Sequence, residues 1–249
     1  MTWADGVLVG FDLETTGTDP ATSRIVTAAL VKTKGGEPVG TPGAWVVDPG
    51  IPVPAEAAAI HGYTTERVRA EGRPPAEAVD EIAAALCGHL ADGVPVVVFN
   101  APFDLSLLEA ELARYGLASL AERLSARRGA LPGGAPALIG PVIDPLVLDR
   151  RLDRYRRGSR TLGSVCAAYG VVFAAADAHQ AGGDALAAVR VAVALARRHA
   201  GQLDGVDAEL LHRHQVGWHA EWAADFEGWL RRGREPGATI PRDWPLRAG

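Results

Sequence analysis

The stretch VLVGFDLETTG, at positions 7–17, is the part of the sequence that decides the fold. Its apolar residues form a short run followed by a turn rich in Thr, Gly, Asp and Pro, which is typical of a buried strand. Asp12 and Glu14 lie two residues apart at the end of this strand, so both carboxylates point to the same face. Paired carboxylates repel each other unless a cation lies between them, and Mg²⁺ or Mn²⁺ prefers such oxygen ligands.

Outward from this strand, the sequence alternates between strand and helix patterns. The predicted strands are 7–13, 24–32, 44–48 and 94–99. The predicted helices are 75–90, 100–115, a short one from 145, 160–169, 184–199 and 207–232. Residues 131–140 are rich in Gly and Pro and are predicted to form a surface loop. An initial run of strands followed by alternating strands and helices indicates an α/β domain with a mixed sheet.

Composition limits the class of protein. The chain has 249 residues, of which 48% are hydrophobic and 22% charged, as expected for a globular domain. The beginning of the sequence has no basic leader pattern, and no run approaches the ~20 apolar residues of a membrane helix. We therefore expect no membrane association and a cytoplasmic location. Cys87 and Cys166 lie in separate helical patterns and are predicted to be buried, reduced thiols.

Charge is unevenly distributed along the chain. The net charge of −5 counts against strong non-specific binding along a duplex. Between Arg114 and Arg160, however, ten arginines occur with four acids, so this stretch carries +6 and the rest of the chain carries −11. The stretch is either a solvated helical face or a strip that binds the phosphate backbone of a nucleic acid.

Two further acids stand where they can join the first pair. Asp104 falls in the first turn of a helix that Asn100 is predicted to cap, where backbone N–H groups favour an anion. The alternative is an acid that only stabilises the helix N-terminus. His179 and Asp184 are five residues apart, and an ideal helix would turn them by about 140° from each other. We therefore place His179 in a loop, bent at Gly182-Gly183, and Asp184 in the first helical turn.

These segments resemble the three motifs of the DEDD exonuclease superfamily, which includes the proofreading subunit of bacterial replicative polymerase and oligoribonuclease. The matching segments are FDLETTG at 11–17, NAPFD at 100–104 and HQAGGD at 179–184. The spacing is that of the histidine branch, because the tyrosine branch would have Tyr where this chain has Gln180. Ile60-His61-Gly62 and Asp144-Pro145-Leu146 resemble two further family segments, and we interpret Asp144 as a helix cap. No motif covers the chain beyond His199.

The resemblance implies a ribonuclease-H-like mixed sheet flanked by helices, with an extra C-terminal helix. We place the exonuclease domain in residues 1–200, and a C-terminal helix and irregular tail, docked on it, in 201–249. The resemblance also implies two Mg²⁺ or Mn²⁺ ions about 4 Å apart. Their ligands would be Asp12, Glu14, Asp104 and Asp184. Asp12 would bridge the two ions, and His179 would take a proton from the attacking water.

The implied activity is 3′→5′ exonucleolytic release of 5′-mononucleotides from nucleic-acid 3′ ends, with single-stranded DNA preferred. The candidate substrate-binding residues are Leu13, Thr15, Thr16, His61, Asn100 and Phe103. For the two threonines, simple turn chemistry is the alternative. One alternative activity is an exoribonuclease acting on short RNA, which a contact to the 2′-hydroxyl would decide. A non-catalytic nucleic-acid-binding module is another alternative, although all five site positions are filled.

The C-terminal helix carries an aromatic stripe. Trp218, Trp222, Phe226 and Trp229 are spaced four, four and three residues apart, which places them on one side of a helix. We predict that this stripe packs against the domain, since exposed it would add several hundred Å² of aromatic surface. A partner-binding helix is the alternative. Polymerase docking or self-association through this helix finds no support in the sequence.

Overall fold

A computed structural model describes residues 2–129, 137–174, 178–233 and 235–247. The strands are β1 (Val7–Thr15), β2 (Ile25–Lys34), β3 (Glu37–Pro38), β4 (Gly43–Val46), β5 (Val96–Val97) and β6 (Val142–Ile143). The helices are α1 (Ala55–His61), α2 (Thr65–Glu71), α3 (Pro75–Ala91), α4 (Ala101–Arg114), α5 (Leu120–Arg128), α6 (Pro145–Leu152), α7 (Leu162–Tyr169), α8 (Ala181–Arg198) and α9 (Ala208–Gly233).

The strands form one mixed sheet in the order β3-β2-β1-β5-β6, with β4 also paired to β2. β1 pairs antiparallel with β2 along its whole length and parallel with β5, and β5 pairs parallel with β6. Gly35 and Gly36 both have positive φ angles at the tight turn between β2 and β3, a conformation that glycine adopts readily. The predicted α/β architecture with a mixed sheet is confirmed.

Helices cover both faces of this sheet. Val9, Phe11 and Leu13 of β1 are buried in the core that includes α3 and α4. Leu8, which points to the opposite face, is buried in the core that includes α8. Because side chains alternate along a strand, Gly10, Asp12 and Glu14 belong to the α8 face as well. The apolar residues of β1 thereby hold the two acids against α8.

Several elements differ from the sequence-based prediction. α1, α2 and α5, which have seven to nine residues each, were not predicted. The predicted strand 94–99 shortens to β5, and α8 begins at Ala181 instead of residue 184. Of the predicted loop 131–140, positions 131–136 lie outside the described residues, whereas Ala137 and Ile139 are buried.

α9 docks on the domain through a face that the sequence did not predict. It contacts β6 and α6. Its buried residues are Leu211, His212, Gln215, His219, Ala223 and Glu227. The aromatic stripe lies at the edge of this interface: Trp229 is 61% exposed and the other three rings are half-buried. The prediction that the stripe packs against the domain holds only in part, because Trp218 packs against both cores whereas Trp229 is exposed. Much of the true face is polar, so a hydrophobic period cannot reveal it.

The two cysteines are buried free thiols, as predicted. Burial raises the pKa of each thiol to about 11, which keeps both protonated at neutral pH. Within the ranges that the structure describes, no helix is long and apolar enough to cross a membrane.

Candidate active site

A close contact between β1 and α8 brings acids of both elements together. A Cβ atom on Gly10 would lie 2.3 Å from the backbone oxygen of Ala185, closer than real Cβ contacts. Only glycine therefore allows α8 to approach β1 this closely. Asp12 and Glu14 follow Gly10 at two-residue intervals on the same face, and Asp184 directly precedes Ala185. Gly10 thus sets the separation between the acids of the strand and the acid of the helix.

Asp104 joins the cluster from α4. It lies in the first turn of that helix, is 4% exposed, and its Oδ1 accepts a hydrogen bond of 3.1 Å from the Leu13 backbone N–H. Leu13 lies between the two acids of β1, so this bond holds the Asp104 carboxylate beside them. Asp104 is close enough to Asp12 that its negative charge helps to raise the pKa of Asp12.

His179 stands at the exposed edge of the cluster. Glu14, His179 and Asp184 each offer one ligand atom, and these atoms lie within 4.8 Å of one another. The His179 backbone N–H donates to Asp184 Oδ1 at 3.3 Å, and its φ of +60° is rare for a residue other than glycine. The predicted bend at Gly182-Gly183 is wrong, because both glycines lie inside α8 and the chain turns at His179.

Burial and crowding raise the pKa of every carboxylate in the cluster. Burial has the largest effect on the pKa of Asp12, followed by the charges of Asp104, Asp184 and Glu14. Burial and the charge of Asp184 raise the pKa of Glu14 to about 7. Burial also raises the pKa values of Asp104 and Asp184. A divalent cation would stabilise the charged forms, and an all-oxygen set suits Mg²⁺ or Mn²⁺. These residues therefore fit such a metal.

The predicted contacts of the Leu13–Thr16 segment are partly engaged within the protein. The Leu13 N–H binds Asp104, as described above. The Thr15 hydroxyl donates to the Gly17 carbonyl at 2.7 Å, and the Thr16 hydroxyl accepts from the Arg24 N–H at 2.9 Å. Both hydroxyls thus serve the turn, which agrees with the turn-chemistry alternative. Contacts from this segment to a 3′-hydroxyl stay a prediction.

His61 lies beside the cluster. Its ring is buried near the Thr15 backbone and His179, and burial lowers the pKa of His61. The Gln180 amide donates to the His61 carbonyl at 3.2 Å, which ties the end of α1 to the His179 loop. Within the described ranges, His61 Nε2 is buried without a hydrogen-bond partner.

The last two predicted substrate-binding residues lie around the beginning of α4. Phe103 is half-buried against the core. Asn100 is exposed, with a φ of +67°, and its side chain makes no capping hydrogen bond. The prediction that Asn100 caps α4 is therefore wrong, because a left-handed residue directs its side chain away from the free N–H groups of the helix.

A family model agrees with this geometry. The model of the exonuclease family RNase_T matches residues 9–192, well over half of the chain. The chain belongs to this exonuclease family. Over 102 residues it is 38% identical to a DNA polymerase III subunit epsilon-like protein of Rhodobacter capsulatus, a match that covers 40% of this chain and 14% of that protein.

Solved structures share the fold of this exonuclease family member. Exonuclease I of Methylocaldum szegediense is 24% identical, with a TM-score of 0.58 over 78% of this chain and 41% of that one. E. coli exonuclease I in complex with a dT13 oligonucleotide is 20% identical, with a TM-score of 0.61 over 80% of this chain and 43% of that one. The chain thus spans less than half the length of these structures. Their likeness confirms the predicted ribonuclease-H-like fold.

A further acid, Asp144, has a larger structural role than the sequence predicted. Asp144 caps its own helix, as predicted, by accepting from the Leu146 N–H at 2.9 Å. It also accepts from the N–H groups of Asn100 and Ala101, both at 3.0 Å, and so caps α4, the helix that carries Asp104. The Asp-Pro pair at 144–145 signals the first cap, but no local pattern signals the second.

The C-terminal segment holds Asp144 in this position. Gln215 of α9 accepts from the Asp144 N–H at 2.7 Å and donates to the Val142 carbonyl at 3.0 Å, which satisfies the free edge of β6. The Trp244 indole N–H donates to the Asp144 carboxylate at 3.3 Å. Gln215 and Trp244, both beyond residue 200, therefore bind directly to Asp144, the residue that caps the helix carrying Asp104.

Proposed function

We propose that this protein is a 3′→5′ exonuclease that hydrolyses the terminal phosphodiester of a nucleic-acid strand and releases a 5′-mononucleotide. The observation that carries the proposal is the convergence of four carboxylates and one imidazole from β1, α4 and the beginning of α8. Single-stranded DNA is the preferred substrate, which is supported by the similarity to an exonuclease I that binds a dT13 oligonucleotide.

The four carboxylates of Asp12, Glu14, Asp104 and Asp184 would hold two Mg²⁺ or Mn²⁺ ions. Bound divalent cations supply positive charge that stabilises the attacking and leaving oxygens of an in-line displacement. Metal binding would be favourable because the carboxylates of the cluster repel one another. This repulsion helps to raise the pKa of Asp12.

His179 is the general base in this proposal. Its imidazole lies beside Glu14 and Asp184 on the exposed side of the cluster, where water reaches it. The hydrogen bond from its backbone N–H to Asp184 holds it there. A ring nitrogen of His179 takes a proton from the attacking water as its oxygen bonds to phosphorus and the bond to the leaving 3′-oxygen breaks. His61 and Phe103 flank the site and would bind the terminal nucleotide.

We also propose that residues 1–200 form the exonuclease domain and that 201–249 complete it, since α9 and Trp244 support Asp144. A single-stranded preference does not exclude RNA as a substrate. The same site would serve an exoribonuclease if a 2′-hydroxyl were contacted, and the following experiment separates the two activities.

The test is a digest of matched DNA and RNA oligomers, labelled at either the 3′ or the 5′ end, with Mg²⁺, Mn²⁺ or EDTA. We expect a 3′ label to leave at once as a mononucleotide, a 5′ label to shorten step by step, and EDTA to stop both. Asp12→Asn is the inactive control. Cleavage of a circular single strand, or no metal-dependent product from any oligomer, would overturn the proposal.

A further inference from the structure

A groove separates the aromatic stripe of α9 from the arginines of residues 150–160. Its volume is about 660 Å³, and we call it the aromatic groove. One side is formed by Trp218, Trp222, Phe226 and Trp229. The other side is formed by Arg150, Arg151, Arg154, Tyr155 and Arg160. The groove is separate from the acidic cluster, and the proposed chemistry does not use any of its residues.

The rings of the aromatic groove form a stacked row. The ring centroids of Trp222 and Phe226 are 5.4 Å apart and their planes differ by 16°. Those of Phe226 and Trp229 are 5.8 Å apart and differ by 12°. The row ends at Trp229, which is 61% exposed, and Tyr155 across the groove is 88% exposed. Exposed, parallel aromatic rings are platforms on which nucleic-acid bases stack regardless of sequence.

The arginines of the groove offer positive charge beside these rings. The Arg150 guanidinium lies 3.3 Å from the centroid of the Trp222 ring. Among the residues that the structure describes, no carboxylate forms an ion pair with Arg150, and its Nε is buried without a partner. Burial lowers the pKa of Arg150 to about 10, so it stays charged at neutral pH and is stabilised by any anion that enters.

Two arginines at the rim, Arg151 and Arg154, are held only weakly, whereas Arg160 pairs with the buried Asp149. Arg151 pairs with Glu221 at 3.2 Å and Arg154 pairs with Asp225 at 3.0 Å, and all four side chains are about half exposed or more. Exposed ion pairs of this kind contribute little and exchange readily for other anions. Each of these three arginines has a carboxylate partner, so the positive charge of Arg150 is the one that favours a negatively charged ligand in the groove.

We infer that the aromatic groove binds single-stranded nucleic acid, with bases on the rings of α9 and phosphates on the arginines. α6 begins next to Asp144, which caps the helix carrying Asp104, and the six residues from Asp144 to Arg150 rise only about 9 Å. In this inference one strand spans both places. That this strand has its 3′ end in the acidic cluster rests on the proposed function. An acidic peptide would use the arginines but not the row of rings.

The test measures binding without hydrolysis. Fluorescence anisotropy in EDTA gives the affinity of labelled dT16 for the wild-type protein and for Trp229→Ala, Arg150→Gln and Arg213→Ala. Arg213 is exposed on α9 outside the groove, so it controls for the loss of one positive charge. We expect Trp229→Ala to weaken binding by roughly fivefold or more, the usual effect of losing one stacking ring. Arg150→Gln should reduce the slope of log affinity against log salt by about 0.7, and Arg213→Ala should change neither quantity appreciably.

A second measurement separates this inference from the proposed function. With Mn²⁺, hydrolysis of the p-nitrophenyl ester of thymidine 5′-monophosphate reports the acidic cluster alone, because the substrate is too small to reach the groove. Trp229→Ala should leave this rate unchanged. If the wild-type protein does not hydrolyse this ester, that result would contradict only the proposed function. Three results would each overturn the inference. They are an unchanged dT16 affinity in both groove variants, displacement of dT16 by polyglutamate at equal charge, and self-association of the wild type that Trp229→Ala abolishes.

Discussion

Gly10→Ala tests whether the contact between β1 and α8 sets the geometry of the acidic cluster. The added Cβ would lie 2.3 Å from the Ala185 carbonyl oxygen, and real Cβ contacts essentially never fall below 3.0 Å, so the two elements must separate by about 0.7 Å. Overpacking of this kind costs about 1–3 kcal/mol of folding free energy. Asp184 precedes Ala185, so the same shift moves it away from Asp12. Misplacement approaching 1 Å lowers turnover by up to ~10²-fold.

The assay combines urea unfolding with exonuclease turnover on a 5′-labelled oligomer at saturating Mn²⁺. Gly88→Ala is the matched control, because Gly88 lies within α3 and a Cβ there would meet nothing within 4 Å. That control should be stabilised by about 0.5–1 kcal/mol, with unchanged turnover. A Gly10→Ala protein that unfolds and turns over like the wild type would show that the contact at Gly10 does not position Asp184.

Three further predictions concern the site and its support. The pKa of Glu14 is raised from 4.5 to about 7, so the stability that the protonated Glu14 carboxyl gives to the metal-free protein is lost as pH rises through about 7. Mn²⁺ should therefore raise Tm more at pH 8 than at pH 6, and equal rises would contradict this. His179→Ala should slow turnover by roughly 10²–10⁴-fold yet retain Mn²⁺ binding by calorimetry, whereas Asp12→Asn should lose both; equal loss of metal affinity would make His179 a ligand. Gln215→Leu should destabilise the protein by roughly 1–3 kcal/mol in urea unfolding, because the buried Asp144 N–H loses its partner.

The sequence was most informative where one segment contains the whole signal. The short apolar run of residues 7–13 and the turn after it predicted β1, and the two-residue spacing of Asp12 and Glu14 placed them on one face, because alternation is a local property of a strand. The positions of Asp104 and Asp184 in the first turns of their helices were likewise predicted from the neighbouring residues. Family motifs added which acids belong together, and the structure brings these same acids into one cluster.

Relations between distant segments required the tertiary structure. The docking face of α9 depends on Gln215 and His212 meeting the free edge of β6, and polar partners have no hydrophobic period that a sequence can show. Asp144 caps α4 as well as α6 because β5 and β6 end side by side, which follows from their parallel pairing. By itself, then, the sequence determined which acids are the candidate metal ligands and that Asp12 and Glu14 share one face of β1. Only packing decided how close α8 comes to β1, because that distance depends on the single missing Cβ at Gly10.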